Sequence, residues 1–176
     1  MRYAAFLRAV NLGKNRRVTS DRLRALFEEA GAEEVATFRT SGNVVFEAPR
    51  DMTRALEKHL EKALGHEMVI FLRKAKEVKE IASAEPFPAK DVDSSEGKLQ
   101  VVLFGKKPTA AVKKKALALS TDRDRLAFGR RELFWLPSGG YMEAELDRDK
   151  LDELLGPVTV RTKGTVDLLA AKYFEE

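Results

Sequence analysis

Residues 35–47 of the 176-residue chain read Val35-Ala-Thr-Phe-Arg-Thr-Ser-Gly-Asn-Val-Val-Phe-Glu47, and this stretch decides the fold. Val35 to Arg39 and Val44 to Glu47 are strand-forming runs, and Thr40-Ser-Gly-Asn43 between them is turn chemistry, with Gly42 and Asn43 tolerant of positive φ. The stretch therefore reads as a β-hairpin. Upstream of it, Leu23, Leu26, Phe27 and Ala30 recur at helical spacing behind a Thr19 or Ser20 cap, Gly31 ends the helix, and residues 3–10 before it form an apolar strand. Downstream, Pro49 stops the hairpin and Asp51 opens a helix with Met52, Leu56, Leu60, Ala63 and Leu64 on one face. Gly65 closes that helix before a strand over Met68 to Leu72. The order β-α-β-β-α-β is the split βαβ, or ferredoxin-like, plan, in which one sheet carries both helices on a single face. Residues 1–73 are thus expected to form one subdomain.

The same plan returns further along. A short helix around Lys76 to Ala84 and a Pro-, Asp- and Ser-rich segment through Gly97, mostly irregular by composition, make residues 74–97 a helix and linker. Leu99 to Phe104 is then a strand, Thr109 to Leu119 a lysine-rich helix, and Leu126 to Phe128 with Leu133 to Leu136 a hairpin about Gly129-Arg-Arg131. Tyr141 to Leu146 alternates like a further strand, Asp147 caps a helix through Leu155, Val158 to Val160 is a strand, and Thr165 caps a last helix. Residues 98–176 therefore read as a second ferredoxin-like subdomain with an extra C-terminal helix. The fold class expected is α+β, two ferredoxin-like subdomains with antiparallel or mixed sheets. Leu99-Gln-Val-Val-Leu-Phe104 laid over Tyr3-Ala-Ala-Phe-Leu-Arg8 points to internal duplication, with chance likeness of two common βαββ units as the alternative.

Composition sets limits on chemistry. Apolar residues at 44% and charged residues at 34% describe a globular protein able to bury a core. The absence of cysteine excludes disulfides, thiolate nucleophiles and every cysteine-containing metal centre. No apolar run approaches the ~20 residues that cross a bilayer, and the N-terminus has no signal-peptide pattern, so the expected compartment is the cytoplasm and no membrane partner is expected. Neither His59 nor His66 has a spaced ligand partner, and both read as surface residues; no metal and no cofactor is expected. Trp135, Phe134 and Phe128 are interleaved with apolar residues and read as core.

The net charge of +4 is unevenly spread. Five bases and no acid lie between Arg2 and Ser20, and six lysines and no acid between Gly97 and Thr121. A third acid-free stretch, Gly156 to Val166, carries Arg161 and Lys163. Strand-to-helix loops offer unpaired amides and the positive end of a helix dipole, so the basic loop at residues 11–17 is the leading anion site. The binding set so identified is Arg8, Asn11, Lys14, Asn15, Arg16, Arg17, Ser41, Asn43, Arg161 and Lys163, and the sequence marks no catalytic residue. Each has a plain structural counterpart: Thr40 to Asn43 as a tight turn, the bases as solvated surface, Arg8 as a strand residue facing water.

These residues also resemble the bacterial Domain of Unknown Function 1697 family, whose pattern opens "LLRGINVGGKNKV", continues with "SGNVVF" and carries "RNWNTV" before a final helix. The matches are Phe6-Leu7-Arg8, Asn11, Gly13-Lys14-Asn15 and Val18; Ser41-Gly-Asn-Val-Val-Phe46; and Arg161 with Thr165-Val166. The resemblance implies two ferredoxin-like halves and no activity. Ala9 stands where the pattern has Gly, and Thr162-Lys163-Gly164 replaces Asn-Trp-Asn, which removes an aromatic residue and weakens a base-stacking role. The residues themselves, apart from the resemblance, lead to the binding of a phosphorylated small molecule or nucleic acid through basic loops. The alternatives are an enzyme on a small anionic substrate and a module that binds a protein partner; ferredoxin-like sheets host all three.

Overall fold

The computed structural model describes residues 1–9, 18–39, 42–139 and 145–175. The chain divides into two compact units, Met1–Lys79 with the tail from Tyr173 on, and Glu80–Lys172. Among the described residues no helix is long and apolar enough to cross a membrane.

The first unit runs β1 (Arg2–Ala9), α1 (Ser20–Glu29), β2 (Glu33–Thr37), β3 (Asn43–Glu47), α2 (Thr53–Leu64) and β4 (Met68–Lys74). Its sheet has the order β2-β3-β1-β4 with every neighbouring pair antiparallel, the ferredoxin-like arrangement expected. Local chemistry sets the helix ends. Thr19 Oγ1 accepts the Arg22 N–H at 3.2 Å, Asp51 Oδ1 accepts from Thr53 N at 2.8 Å, and Gly65 closes α2 at φ 76°. Tyr3, Ala5 and Leu7 alternate into a core with Leu23, Leu26, Phe27, Leu56 and Leu60. Within it the Phe46 ring stacks on Tyr3 at 5.6 Å and meets Phe27 edge-on at 5.5 Å. Ala4 and Phe6, on the other face of β1, are buried as well, which is why that strand reads as a continuous apolar run and not as a clean alternation.

The hairpin forms where expected, with its turn differently made. Positive φ falls on Arg39 (60°) and Gly42 (76°), while Asn43 is the first residue of β3. Glu34, at φ 49°, sits in a register irregularity between the Glu33 and Ala36 pairings.

Between the two sheets come α3 (Ala75–Ser83) and α4 (Ala89–Ser94), the latter giving regular structure to six residues of the Pro-rich segment. The second unit continues β5 (Gln100–Phe104), α5 (Ala110–Leu117), β6 (Asp124–Phe128), β7 (Glu132–Pro137), α6 (Arg148–Leu155), β8 (Val158–Thr162) and α7 (Lys163–Tyr173). Its sheet order is β6-β7-β5-β8, again antiparallel throughout. Substituting β5 for β1 reproduces the first sheet strand for strand, and Thr109 caps α5 as Thr19 caps α1, accepting the Val112 N–H at 3.2 Å. The core gathers Val102, Phe104, Ala116, Leu133, Trp135, Leu151 and Leu155. Trp135 is fully buried, as its setting suggested, and its indole N–H donates to Asp124 Oδ1 at 2.7 Å.

Three expectations change. Residues 141–144 of the further strand lie outside the described residues, and Glu145 and Leu146 are not in a strand. The last helix starts at Lys163 and not at Thr165: Thr162 Oγ1 accepts the Thr165 N–H at 3.2 Å, so the cap lies three residues earlier. His66, which follows the left-handed Gly65 at φ 76°, is buried, its Nδ1 3.3 Å from the Glu67 carbonyl; His59 is half-exposed and pairs with Glu29 at 2.9 Å.

Candidate functional site

Four strand ends meet at one edge of the first sheet. Antiparallel pairing sets Phe6 opposite Asn43 and Ala9 opposite Met68. The Leu7 N–H donates to the Gly42 carbonyl at 2.9 Å. The segments that leave from Ala9 and arrive at Gly42 therefore start from neighbouring strands at the same edge. Asn11, Lys14, Asn15, Arg16, Arg17 and Ser41 belong to these segments and lie outside the described residues.

Arg8 and Asn43 are the described members of the set at this edge. Leu7 and Val44 point into the helix-covered core, so alternation puts Arg8 and Asn43 together on the opposite face, on adjoining strands. Arg8 is half-buried. Asn43 is only 1% exposed, and its Nδ2 donates to the Phe38 carbonyl at 3.0 Å while Phe38 N donates back to the Asn43 carbonyl at 2.9 Å. Asn43 thus ties the start of β3 to Phe38 across the hairpin.

Arg161 and Lys163 fall in the second unit and not in an open loop. Arg161 is within β8, where Val158 and Val160 face the core and Arg161 shares the other face with Thr159. Its Nη1 donates to Thr159 Oγ1 at 2.7 Å and to the Val160 carbonyl at 3.0 Å. Burial lowers its pKa to about 10, so it stays a cation at neutral pH. Lys163 opens α7, and its Nζ donates to the Ala82 carbonyl at 2.9 Å and to both Asp167 carboxylate oxygens at 2.9 and 3.2 Å. This ammonium is engaged inside its own unit. The strand runs straight into the helix at Thr162, so the expected loop between Arg161 and Lys163 has no length.

Two buried acids were passed over by the sequence reading. Asp124 accepts from Trp135 Nε1, from Thr121 Oγ1 at 2.7 Å and from Glu145 N at 3.0 Å. Glu132 accepts the Arg130 and Arg131 N–H groups, each at 3.1 Å, so it holds the β6–β7 turn as Asn43 holds the β2–β3 turn. No spacing signal marks either acid. A groove of about 780 Å³ at the opposite edge of the first sheet is lined by Arg50, Asp51, Met52 and Arg54. Among the described residues no group of acids and histidines is placed to hold a metal ion.

The family model described as "Protein of unknown function (DUF1697)" matches residues 1–134, which include both basic loops and the hairpin. No curated protein matches the chain. The solved structure of the conserved bacterial protein SP0830 from Streptococcus pneumoniae is similar over 99% of this chain and 98% of that one, with a TM-score of 0.76 at 19% identity. At that identity the likeness shows the fold, two ferredoxin-like halves included. The motif matches at Phe6 to Val18 and at Ser41 to Phe46 lie within the matched residues, and the chain belongs to the DUF1697 family.

Proposed function

We propose that the protein binds a phosphorylated small molecule or a nucleic acid at the edge of its first sheet, through Arg8, Asn11, Lys14, Asn15, Arg16, Arg17 and Ser41. The observation that supports this most is the convergence there of the β1 and β3 ends. The acid-free basic segment and residues 40–41 thus connect to adjoining strands, beside the half-buried Arg8. Cations and backbone amides gathered on one side suit an anion. Asn43 serves as the brace of this edge, and Lys163, neutralised by Asp167, is left out of the set.

Thermal shift against nucleotides, sugar phosphates and short RNA and DNA tests the reading. A ligand at a hundred times its Kd stabilises the folded state by about 2.7 kcal/mol. The shift is expected in the wild type and lost in the Arg16→Ala/Arg17→Ala variant. An equal shift in both, or none in the wild type, refutes the assignment.

A further inference from the structure

The second unit carries a basic face of its own, described residue by residue. At the edge of its sheet where β5 ends, Phe104 N donates to the Arg131 carbonyl at 3.3 Å, and Arg131 Nη1 donates to the Gly105 carbonyl at 3.3 Å. The β5–α5 loop with Lys106 and Lys107 is thereby tied to the β6–β7 turn with Arg130 and Arg131. Lys113 on α5 joins them, its Nζ 5.8 Å from the centre of the Phe128 ring, one residue before that turn. Lys106, Lys107 and Arg130 are exposed, and Lys113 and Arg131 half-exposed. Neither Lys106 nor Lys107 pairs with an acid among the described residues. The acid within the turn, Glu132, is buried, with its carboxylate on the turn amides, and Glu80 meets Arg130 at 3.6 Å in an exposed pair. In the repeated plan the β5–α5 connection corresponds to the β1–α1 connection of the first unit.

We infer that this face, Lys106, Lys107, Lys113, Arg130 and Arg131, is a docking surface for the phosphate backbone of a duplex nucleic acid. Charge complementarity identifies the occupant: five cations on three separate segments present an open, extended positive surface, which matches a ladder of phosphates. A lone phosphate needs a closed cradle, and of these cations three are exposed and two half-exposed. Single strands are gripped by stacking on aromatic rings, but Phe128 lies beneath Lys113 and Trp135 is fully buried. Membrane-binding faces add several apolar anchors to their cations, and α5 offers a single exposed large apolar residue among those described, Leu117, one turn beyond Lys113. The surface reads backbone and not sequence. It stands whether or not the first unit binds an anion.

Fluorescence anisotropy of the full chain with labelled DNA and RNA duplexes, over a salt series, tests it. Each phosphate contact contributes about −0.9 to the slope of log K against log salt for duplex DNA. Lys106→Ala/Lys107→Ala/Lys113→Ala is therefore expected to flatten that slope by about 2–3 and to weaken binding at least tenfold at about 0.1 M salt. Lys106→Glu/Lys107→Glu should weaken it further, with unchanged circular dichroism showing that both variants fold. Arg16→Ala/Arg17→Ala, run in parallel, reports on the first unit alone and is expected to leave this effect of the lysines in place. Unchanged affinity in the lysine variants, a wild type that ignores duplexes at low salt, or equally tight binding of single strands, polyglutamate or anionic vesicles would each overturn the inference.

Discussion

Replacing Asp124 with alanine should cost the second unit about 3 kcal/mol, and the estimate can be built donor by donor. The carboxylate is fully buried and accepts from Trp135 Nε1, Thr121 Oγ1 and Glu145 N at 2.7, 2.7 and 3.0 Å. Hydrogen bonds to a charged group contribute roughly 1.5–3 kcal/mol each, and a buried donor left unmatched costs about 1–3 kcal/mol. Thr121 and Glu145 sit where water can replace the lost oxygen, whereas the indole N–H of Trp135 is sealed in the core. Relief from burying a charge offsets part of the sum, which leaves about 3 kcal/mol. A unit the size of Glu80–Lys172 unfolds with an entropy near 0.2 kcal/mol/K, so the midpoint should fall by about 15 °C if it unfolds separately. Asp124→Asn keeps an acceptor for the indole but sets an amide donor against one of the other donors, and should cost about 1–2 kcal/mol. Urea unfolding followed by the fluorescence of Trp135, the chain's one tryptophan, reads the second unit directly. A loss below about 1 kcal/mol in Asp124→Ala at unchanged m-value, or equal losses in the two variants, would refute the reasoning.

Three further outcomes are expected. The Glu57 carboxyl is raised above its ordinary value of 4.5, chiefly by burial, although it accepts the Ile70 N–H at 2.9 Å. Its folded form thus holds a proton more tightly than the unfolded chain, and the contribution of Glu57 to stability falls as pH rises past 4.5. Glu57→Gln, which keeps an acceptor for Ile70, should then gain relative to wild type between about pH 4 and pH 7 in thermal melts, and a gap independent of pH would contradict this. Gly97→Ala should unfold the second unit far more readily than Gly65→Ala does the first, because a Cβ at 97 meets the backbone carbonyls of Pro137 and Gly139. At 65 the space is open, and only the φ of 76° is strained, at about 1–2 kcal/mol. Comparable melting losses would remove that distinction. Asp167→Ala strands the Lys163 ammonium and should cost about 1–2 kcal/mol, most of which Lys163→Met in the same chain restores. A double variant no more stable than Asp167→Ala would show that the pair is not coupled.

The fold was largely legible because strand and helix periods alternate with few ambiguities. Asp147 caps the helix expected of it, Thr19 is the cap where Thr19 and Ser20 both qualified, and Thr109, read as the first residue of its helix, is that helix's cap. The hairpin at residues 35–47 also forms, since Gly42 supplies the positive φ the turn requires. The last helix was misplaced for a local reason. Thr162 and Thr165 can each cap, and only the direct passage from β8 into α7 selects Thr162. A start at Lys163 would have put Lys163 and Asp167 one turn apart and revealed their pairing. Buried acids such as Asp124 and Glu132 leave no periodic trace, because their partners are a distant indole and the amides of their own turn. At the first-sheet edge it is the β1–β3 pairing that brings Arg8 and Asn43 to one face, and no spacing along the chain announces it.

Glu132 holds the β6–β7 turn through the backbone amides of Arg130 and Arg131, a contact that does not depend on which side chains those two positions carry. Those two positions are consequently open to selection for charge with little penalty in folding. The matching turn in the first unit is braced from Asn43 in the same manner. A scaffold of two like sheets, each with its brace one residue outside the tip of a hairpin, can change the tip residues of either one at the cost of a few side chains and no rebuilding of the sheet.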